Sequence, residues 1–302
     1  MSKVRFEGVM AALPTPLTDN GEIKVATVKK LVDHSLDEGL HGFYVTGATG
    51  EGVALSAKKR EIMVNAVIEA NAGRGKVIVH IGAIDPYEAM ALTRQATAVG
   101  ADGVSAMPPN YMFEYDADEI VDYYTRLAGE TNLPLLLYAT PKTVALDING
   151  IIERLLAVPN IVGAKDTRAN YYKMWQLKQL NGGDVNVING PDQMLICGLT
   201  MGADGGIGGT YSVMPRWFAE LYKSFRSGKI DEAEEWGDLG HIIRLTANGR
   251  RIREPEKDSC LYLAEEEPMP VEEVRLSFIP YYTWANRGSN DMCVWIRTIS
   301  NT

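Results

Sequence analysis

Between Gly8 and about Phe225, short apolar runs alternate with segments of helical period, and the pattern repeats eight times. The runs are "GVMAALPTPL", "GFYVTG", "KVIVHIGA", "DGVSAMPP", "LPLLLYATP", "NIVGAKDT", "VNVINGPD" and "ADGGIGG". Between them lie stretches such as "KVATVKKLVDHSLDEGL" and "AKKREIMVNAVIEANAG", with apolar residues at helical spacing and a glycine near the end. Strands that are apolar on both faces and alternate with helices imply a parallel sheet covered by helices. Eight such units fit an α/β fold of the (β/α)8 TIM-barrel kind, with the active site at the C-terminal ends of the strands. A doubly wound sheet is the alternative. It more often has a phosphate-binding glycine turn after its first strand, whereas this first strand runs into "PTPL".

Composition narrows the partners. The chain has 302 residues, is 46% hydrophobic and carries a net charge of −9. With no basic cluster, that charge argues against nucleic acid or an anionic membrane as partner. No apolar run approaches the roughly 20 residues that span a bilayer, and "MSKVRFEGVM" lacks the apolar stretch of a secretory signal. Cys197, Cys260 and Cys293 suggest neither a disulfide framework nor a zinc site, and His34, His41, His80 and His241 show no metal spacing. The expectation is a soluble, cytoplasmic protein without a metal centre.

The sixth run carries a lysine. In "NIVGAKDT", strand alternation puts Gly163, Lys165 and Thr167 on one face and Asp166 on the other, which makes Asp166 structural. Lys165 alone could be a strand-end lysine reaching solvent or a carboxylate. At a barrel mouth, desolvation would lower its pKa and leave part of it a neutral amine, the form that attacks a carbonyl. Tyr138 stands at the end of the fifth run, where a phenol can serve as general acid and base or simply as a core aromatic. In "YVTGATGEG" three glycines around Ala48 and Thr49 predict a tight strand-to-helix turn that offers backbone N–H groups and a hydroxyl to a carboxylate.

Together these stretches resemble the N-acetylneuraminate lyase and dihydrodipicolinate synthase family of Schiff-base, class I aldolases, over about residues 9–236. "GATGE" is similar to its pyruvate-carboxylate loop, "LLLYATP" to its tyrosine strand and "VGAKDT" to its lysine strand. "GADGGIGGTYS" and "DGVSAMPPNY" resemble the lyase branch in particular. The resemblance implies an imine between Lys165 and pyruvate, and a proton relay by Tyr138 completed by Tyr111. It implies that Thr49 and the Ala48 backbone hold the pyruvate carboxylate, while Thr167, Gly190 and Asp192 meet the sugar-derived half of a 2-keto acid. No cofactor is implied, and the assembly implied is a homotetramer.

Departures from the pattern bear on substrate. The synthase branch has an arginine where this chain has Thr143. The lyase branch has a hydroxyl residue at Ala48, a glutamate at Gln193 and a serine at Gly209. The function expected is cleavage of a sialic-acid-like 2-keto acid to pyruvate and an aldehyde. The alternatives are a dihydrodipicolinate synthase-like or other pyruvate-dependent aldolase, and a catalytically weakened sugar-acid-binding chimera.

The family's closing bundle of about three helices is not apparent. The reading divides the chain into a barrel, residues 1–228, and an atypical segment, 229–302, with one helix up to about Ala247. After that helix come a charged, proline-containing linker and "VRLSFIPYYTWANRGSNDMCVWIRTI", which reads as two strands about an "NRGSN" turn. The last 40 or so residues resemble the C-terminal end of β-L-arabinofuranosidase-type glycoside hydrolases, without that family's catalytic domain.

Overall fold

The computed structural model describes residues 6–109, 113–143 and 145–237. Tyr111 lies outside them, as do the expected linker and terminal strand pair. The strands are β1 (Gly8–Ala12), β2 (Gly42–Val45), β3 (Lys76–His80), β4 (Gly103–Ala106), β5 (Leu135–Ala139), β6 (Ile161–Asp166), β7 (Asn186–Asn189) and β8 (Gly205–Gly208). Each pairs in parallel with the next, and β8 closes on β1. The helices are α1 (Val25–Asp37), α2 (Ala57–Asn71), α3 (Pro86–Ala98), α4 (Ala117–Gly129), α5 (Ile148–Leu155), α6 (Tyr171–Gln179), α7 (Leu195–Thr200) and α8 (Pro215–Arg226). This is the (β/α)8 barrel expected from the eightfold alternation. Residues 230–237 are helical again, and Trp236 lies against Trp217 of α8.

Local chemistry sets the helix starts. Asp85 caps α3 by accepting from the Tyr87 N–H, with Pro86 in the first turn where no donor is lost. Asp116 and Glu119 form a reciprocal capping box at α4. The apolar stripes of the helices cover the outer faces of strands whose buried residues include Val9, Val45, Val79, Val104, Leu137, Ala164 and Val187.

A second core fills the barrel itself: Met10, Ala12, Tyr44, Ile78, Leu136, Tyr138, Val162, Ile188 and Ile207, with Phe6 closing the lower end. Asn186 holds Phe6 there by accepting from its N–H and donating to its carbonyl. Strict alternation along β6 fails at its start. Leu135 pairs with Ile161 but Leu136 pairs with Gly163, so Val162 is an extra, bulged residue. Ile161 thus joins the outer layer and Val162 the inner one. Gly163 is at φ 153°, and a Cβ there would stand 1.9 Å from the Asn186 carbonyl oxygen, so only glycine fits. Beyond the bulge the alternation resumes, with Lys165 inward and Asp166 outward.

Candidate active site

Lys165 pairs laterally with Tyr138 on one side and Ile188 on the other, near the C-terminal ends of their strands. The residue is 5% exposed, and its Nζ stands 4.2 Å from the centroid of the Tyr138 ring and 4.5 Å from that of Tyr44. Burial lowers its pKa from 10.5 to about 7, against a smaller upward pull from Asp192. About half of such an amine is neutral near pH 7. Burial pushes the Tyr138 phenol the other way, up to about 12. The nearby Thr167 hydroxyl tempers that shift without forming a hydrogen bond of ordinary geometry.

Three aromatic rings meet at this amine. Tyr44, His80 and Tyr138 have centroids 6.0 to 6.1 Å apart, and His80 and Tyr44 each stand nearly edge-on to Tyr138. The Tyr44 hydroxyl bonds Ser105 Oγ at 3.1 Å. His80 Nε2 accepts from the Met107 N–H, and burial, with Arg60 and Lys165 nearby, keeps the imidazole neutral at pH 7. Tyr44, His80 and Ser105 were not singled out in the sequence. Their signal was a polar or aromatic residue at an inward position of an otherwise aliphatic strand.

Asp166 turns away from the mouth, as its parity predicts. Arg168 donates to both of its carboxylate oxygens, at 2.9 and 2.6 Å, and both side chains are buried. The pair anchors the chain just after β6.

The β2 loop holds Thr46 and Glu51 in the left-handed region, at φ 56° and 52°. The glycine turn does not run straight into a helix, as its spacing suggested. A 3-10 turn at Gly52–Ala54 intervenes, and α2 begins only after its cap, Ser56. The turn expected to hold a carboxylate at Ala48 and Thr49 is therefore a loop, without a helix end behind it. Ala48 is exposed and Thr49 half-buried. A Cβ on Gly209 would stand 3.0 Å from Thr49 Oγ1, so the β2 and β8 loops meet there.

The other candidates gather on the far rim. A Cβ on Gly190 would stand 1.9 Å from Thr167 Oγ1, so Thr167 occupies the space that the missing side chain leaves. Asp192 accepts from the Thr210 N–H at 2.7 Å and from its hydroxyl at 2.6 Å, which ties the β7 loop to the β8 loop. Gln193 is half-buried, and its Oε1 has no partner among the described residues. Thr143 is buried, with its hydroxyl bonded to the backbone of Thr140.

Residues 5–246 match the Dihydrodipicolinate synthetase family. The chain belongs to that family. Membership makes it a (β/α)8 enzyme of the lyase class with aldolase chemistry. The chain is 34% identical over 233 residues to the N-acetylneuraminate lyase of Rhizobium meliloti (strain 1021), covering 76% of each. Among solved structures, it superposes on N-acetylneuraminate lyase of Proteus mirabilis with a TM-score of 0.77 at 23% identity, covering 87% of this chain and 99% of that one. It superposes on dihydrodipicolinate synthase from Aquifex aeolicus with a TM-score of 0.76 at 25% identity, covering 88% and 99%. Backbone likeness of this kind does not separate the two branches of the family. No helix among the described residues is long and apolar enough to cross a membrane.

Proposed function

We propose that this family member is a Schiff-base lyase that cleaves a sialic-acid-like 2-keto sugar acid to pyruvate and an aldehyde. One observation carries the reading: a buried lysine with a pKa near 7 whose Nζ lies 4.2 Å from the centroid of a buried tyrosine ring. The neutral amine of Lys165 adds to the ketone of the 2-keto acid, and the carbinolamine hydroxyl leaves as water by taking the Tyr138 phenol proton, which gives an iminium beside a phenolate. That new cation beside Tyr138 favours the phenolate, offsetting the burial that holds the phenol near 12 in the free protein. The phenolate, with Tyr111 in the same relay, takes the proton of the substrate's C4 hydroxyl. The C3–C4 bond then breaks, its electron pair forms the C2=C3 double bond and the C=N pair moves onto nitrogen, giving an enamine and the aldehyde. Protonation at C3 and addition of water release pyruvate and restore the amine.

In this reading Thr49 and the Ala48 backbone hold the pyruvate carboxylate. Thr167, Gly190 and Asp192, with Gln193 and Gly209, face the aldehyde half. A homotetramer, a cytoplasmic location and the division into 1–228 and 229–302 belong to the same reading. The synthase alternative has less support, because the position where an arginine would bind a second carboxylate holds Thr143, whose hydroxyl is spent within its own loop. The test is reduction with borohydride in the presence of pyruvate, followed by mass analysis. The expected result is one added pyruvate-derived group on Lys165. No gain in mass, or a gain on another lysine, refutes the assignment and leaves the binding-only reading.

A further inference from the structure

Two buried hydroxyls stand side by side at the rim. Thr140 follows Tyr138 by two positions and Thr167 follows Lys165 by two, so each continues the inward face of its strand. The lateral pairing of Tyr138 with Lys165 and of Ala139 with Asp166 is extended by the Thr167 N–H, which donates to the Ala139 carbonyl at 2.8 Å. Thr140 and Thr167 are therefore the next pair along these two strands, one step beyond the reacting amine and phenol. Neither side-chain hydroxyl makes a hydrogen bond of ordinary geometry among the described residues, although the Thr167 hydroxyl lies near enough to the Tyr138 phenol to act on it.

Thr140 is held in this pose. The Thr143 hydroxyl accepts from the Thr140 N–H at 3.0 Å and donates to the Thr140 carbonyl at 2.7 Å. Both backbone groups of Thr140 are thus engaged, and only its side-chain hydroxyl is left over. Valine has nearly the same shape and would line an apolar wall without a stranded polar atom, whereas an unpartnered buried hydroxyl is destabilising. Thr140 keeps 7% of its surface, and a turn about χ1 carries its hydroxyl to another staggered position. The charges nearby in sequence are spent or outside: Arg168 is bound to Asp166, and Lys142 is exposed. The pair itself is neutral, and the Asp192 carboxylate, which is bound by Thr210 and acts on Tyr138 and Lys165, adds negative rather than positive charge to the site.

We infer that Thr140 determines specificity: together with Thr167 it hydrogen-bonds a hydroxyl of the uncharged polyol chain on the aldehyde half of the substrate. The inference rests on the aldolase reading above and adds to it a residue, Thr140. A neutral hydroxyl pair fits a polyol better than a carboxylate or phosphate, which would call for a cation or several N–H donors.

The test runs the reaction in the direction of synthesis on the full chain, with pyruvate and either erythrose or butanal, four-carbon aldehydes with and without hydroxyls. Thr140→Val is expected to lower kcat/KM for erythrose by about 5- to 150-fold, the usual effect of a lost hydrogen bond to a buried polar group. Butanal should change by less than about twofold on the same grounds, and Thr140→Ser should recover erythrose. Borohydride trapping of pyruvate on Lys165 should be unchanged in all three proteins. If Thr140→Val melts early, Thr140→Ala takes its place. Normal trapping with equal losses for both aldehydes, with no loss for erythrose, or with a wild type that uses neither aldehyde, overturns the inference alone. Failure of the wild type to trap pyruvate overturns the aldolase reading, and this inference with it.

Discussion

Lys165 and Tyr138 are lateral partners on β6 and β5, and the lysine Nζ lies 4.2 Å from the centroid of the tyrosine ring. Burial acts on both in opposite senses, drawing the amine down to about 7 and driving the phenol up to about 12. Each is therefore neutral, or half so, in the free enzyme at neutral pH. Imine formation makes the charge on this nitrogen complete, because the iminium is a full cation.

That relationship sets a pH dependence. The rate of borohydride trapping by pyruvate should rise through pH 7 and level off within about a unit above it, following the neutral fraction of an amine with a pKa near 7. A rate that keeps climbing towards pH 10 would mean that Lys165 titrates as an exposed lysine.

Tyr138→Phe keeps the ring that stands against Lys165 and removes the proton carrier. Adduct formation with pyruvate should survive while turnover falls by roughly 10²–10⁴-fold, the range for one general acid–base group. Unchanged turnover would reduce Tyr138 to a packing residue.

A buried amine also costs stability. Lys165→Met should raise the urea midpoint, most clearly below pH 7, where the native protein must hold a charged Nζ. The wild type binds fewer protons than its unfolded chain between about pH 7 and 10.5, so its own stability climbs with pH across that window. The advantage of the methionine variant should shrink over the same window, by up to about 1.4 kcal/mol per pH unit. Urea titrations at pH 6 and pH 9 would expose a constant difference if this is wrong.

Arg168 and Asp166 form a buried pair in which the guanidinium donates twice. Arg168→Met leaves the buried carboxylate with no counter-charge and only the backbone N–H of residue 168 as a donor, and should cost about 3–5 kcal/mol by chemical denaturation at pH 7. Mutation of Asp166 and Arg168 together to apolar residues should recover much of that loss. If the double variant is as unstable as the single one, the pair is not the source.

Ala48→Ser with Gln193→Glu supplies two polar groups that the lyase-branch pattern has and this chain lacks. The pair should raise kcat/KM for N-acetylneuraminate, since each hydrogen bond gained by a buried sugar hydroxyl contributes roughly 1–3 kcal/mol, or about 5- to 150-fold. The unmodified protein should condense pyruvate with aspartate semialdehyde poorly. Efficient condensation there, or no response in a well-folded double variant, would remove the lyase-branch assignment.

The barrel was legible in the sequence because eight runs apolar on both faces can bury themselves only in a parallel sheet sheathed by helices. Strand alternation, a local property, was enough to turn Lys165 inward and Asp166 outward. The family pattern marked Tyr138, Thr49 and Thr167 by position. Tertiary structure decided what depends on closure and stagger between strands. Val162 bulges beside a Gly163 where the Asn186 carbonyl leaves no room for a Cβ, and period-two counting from Ile161 cannot foresee either. Tyr44, His80 and Tyr138 come from three strands, so their convergence on one amine follows only from the barrel's stagger. Thr143 was legible as a missing arginine. That its hydroxyl secures Thr140 needed the path of the loop, because a residue type states what a side chain can bond and only the fold states what lies within reach.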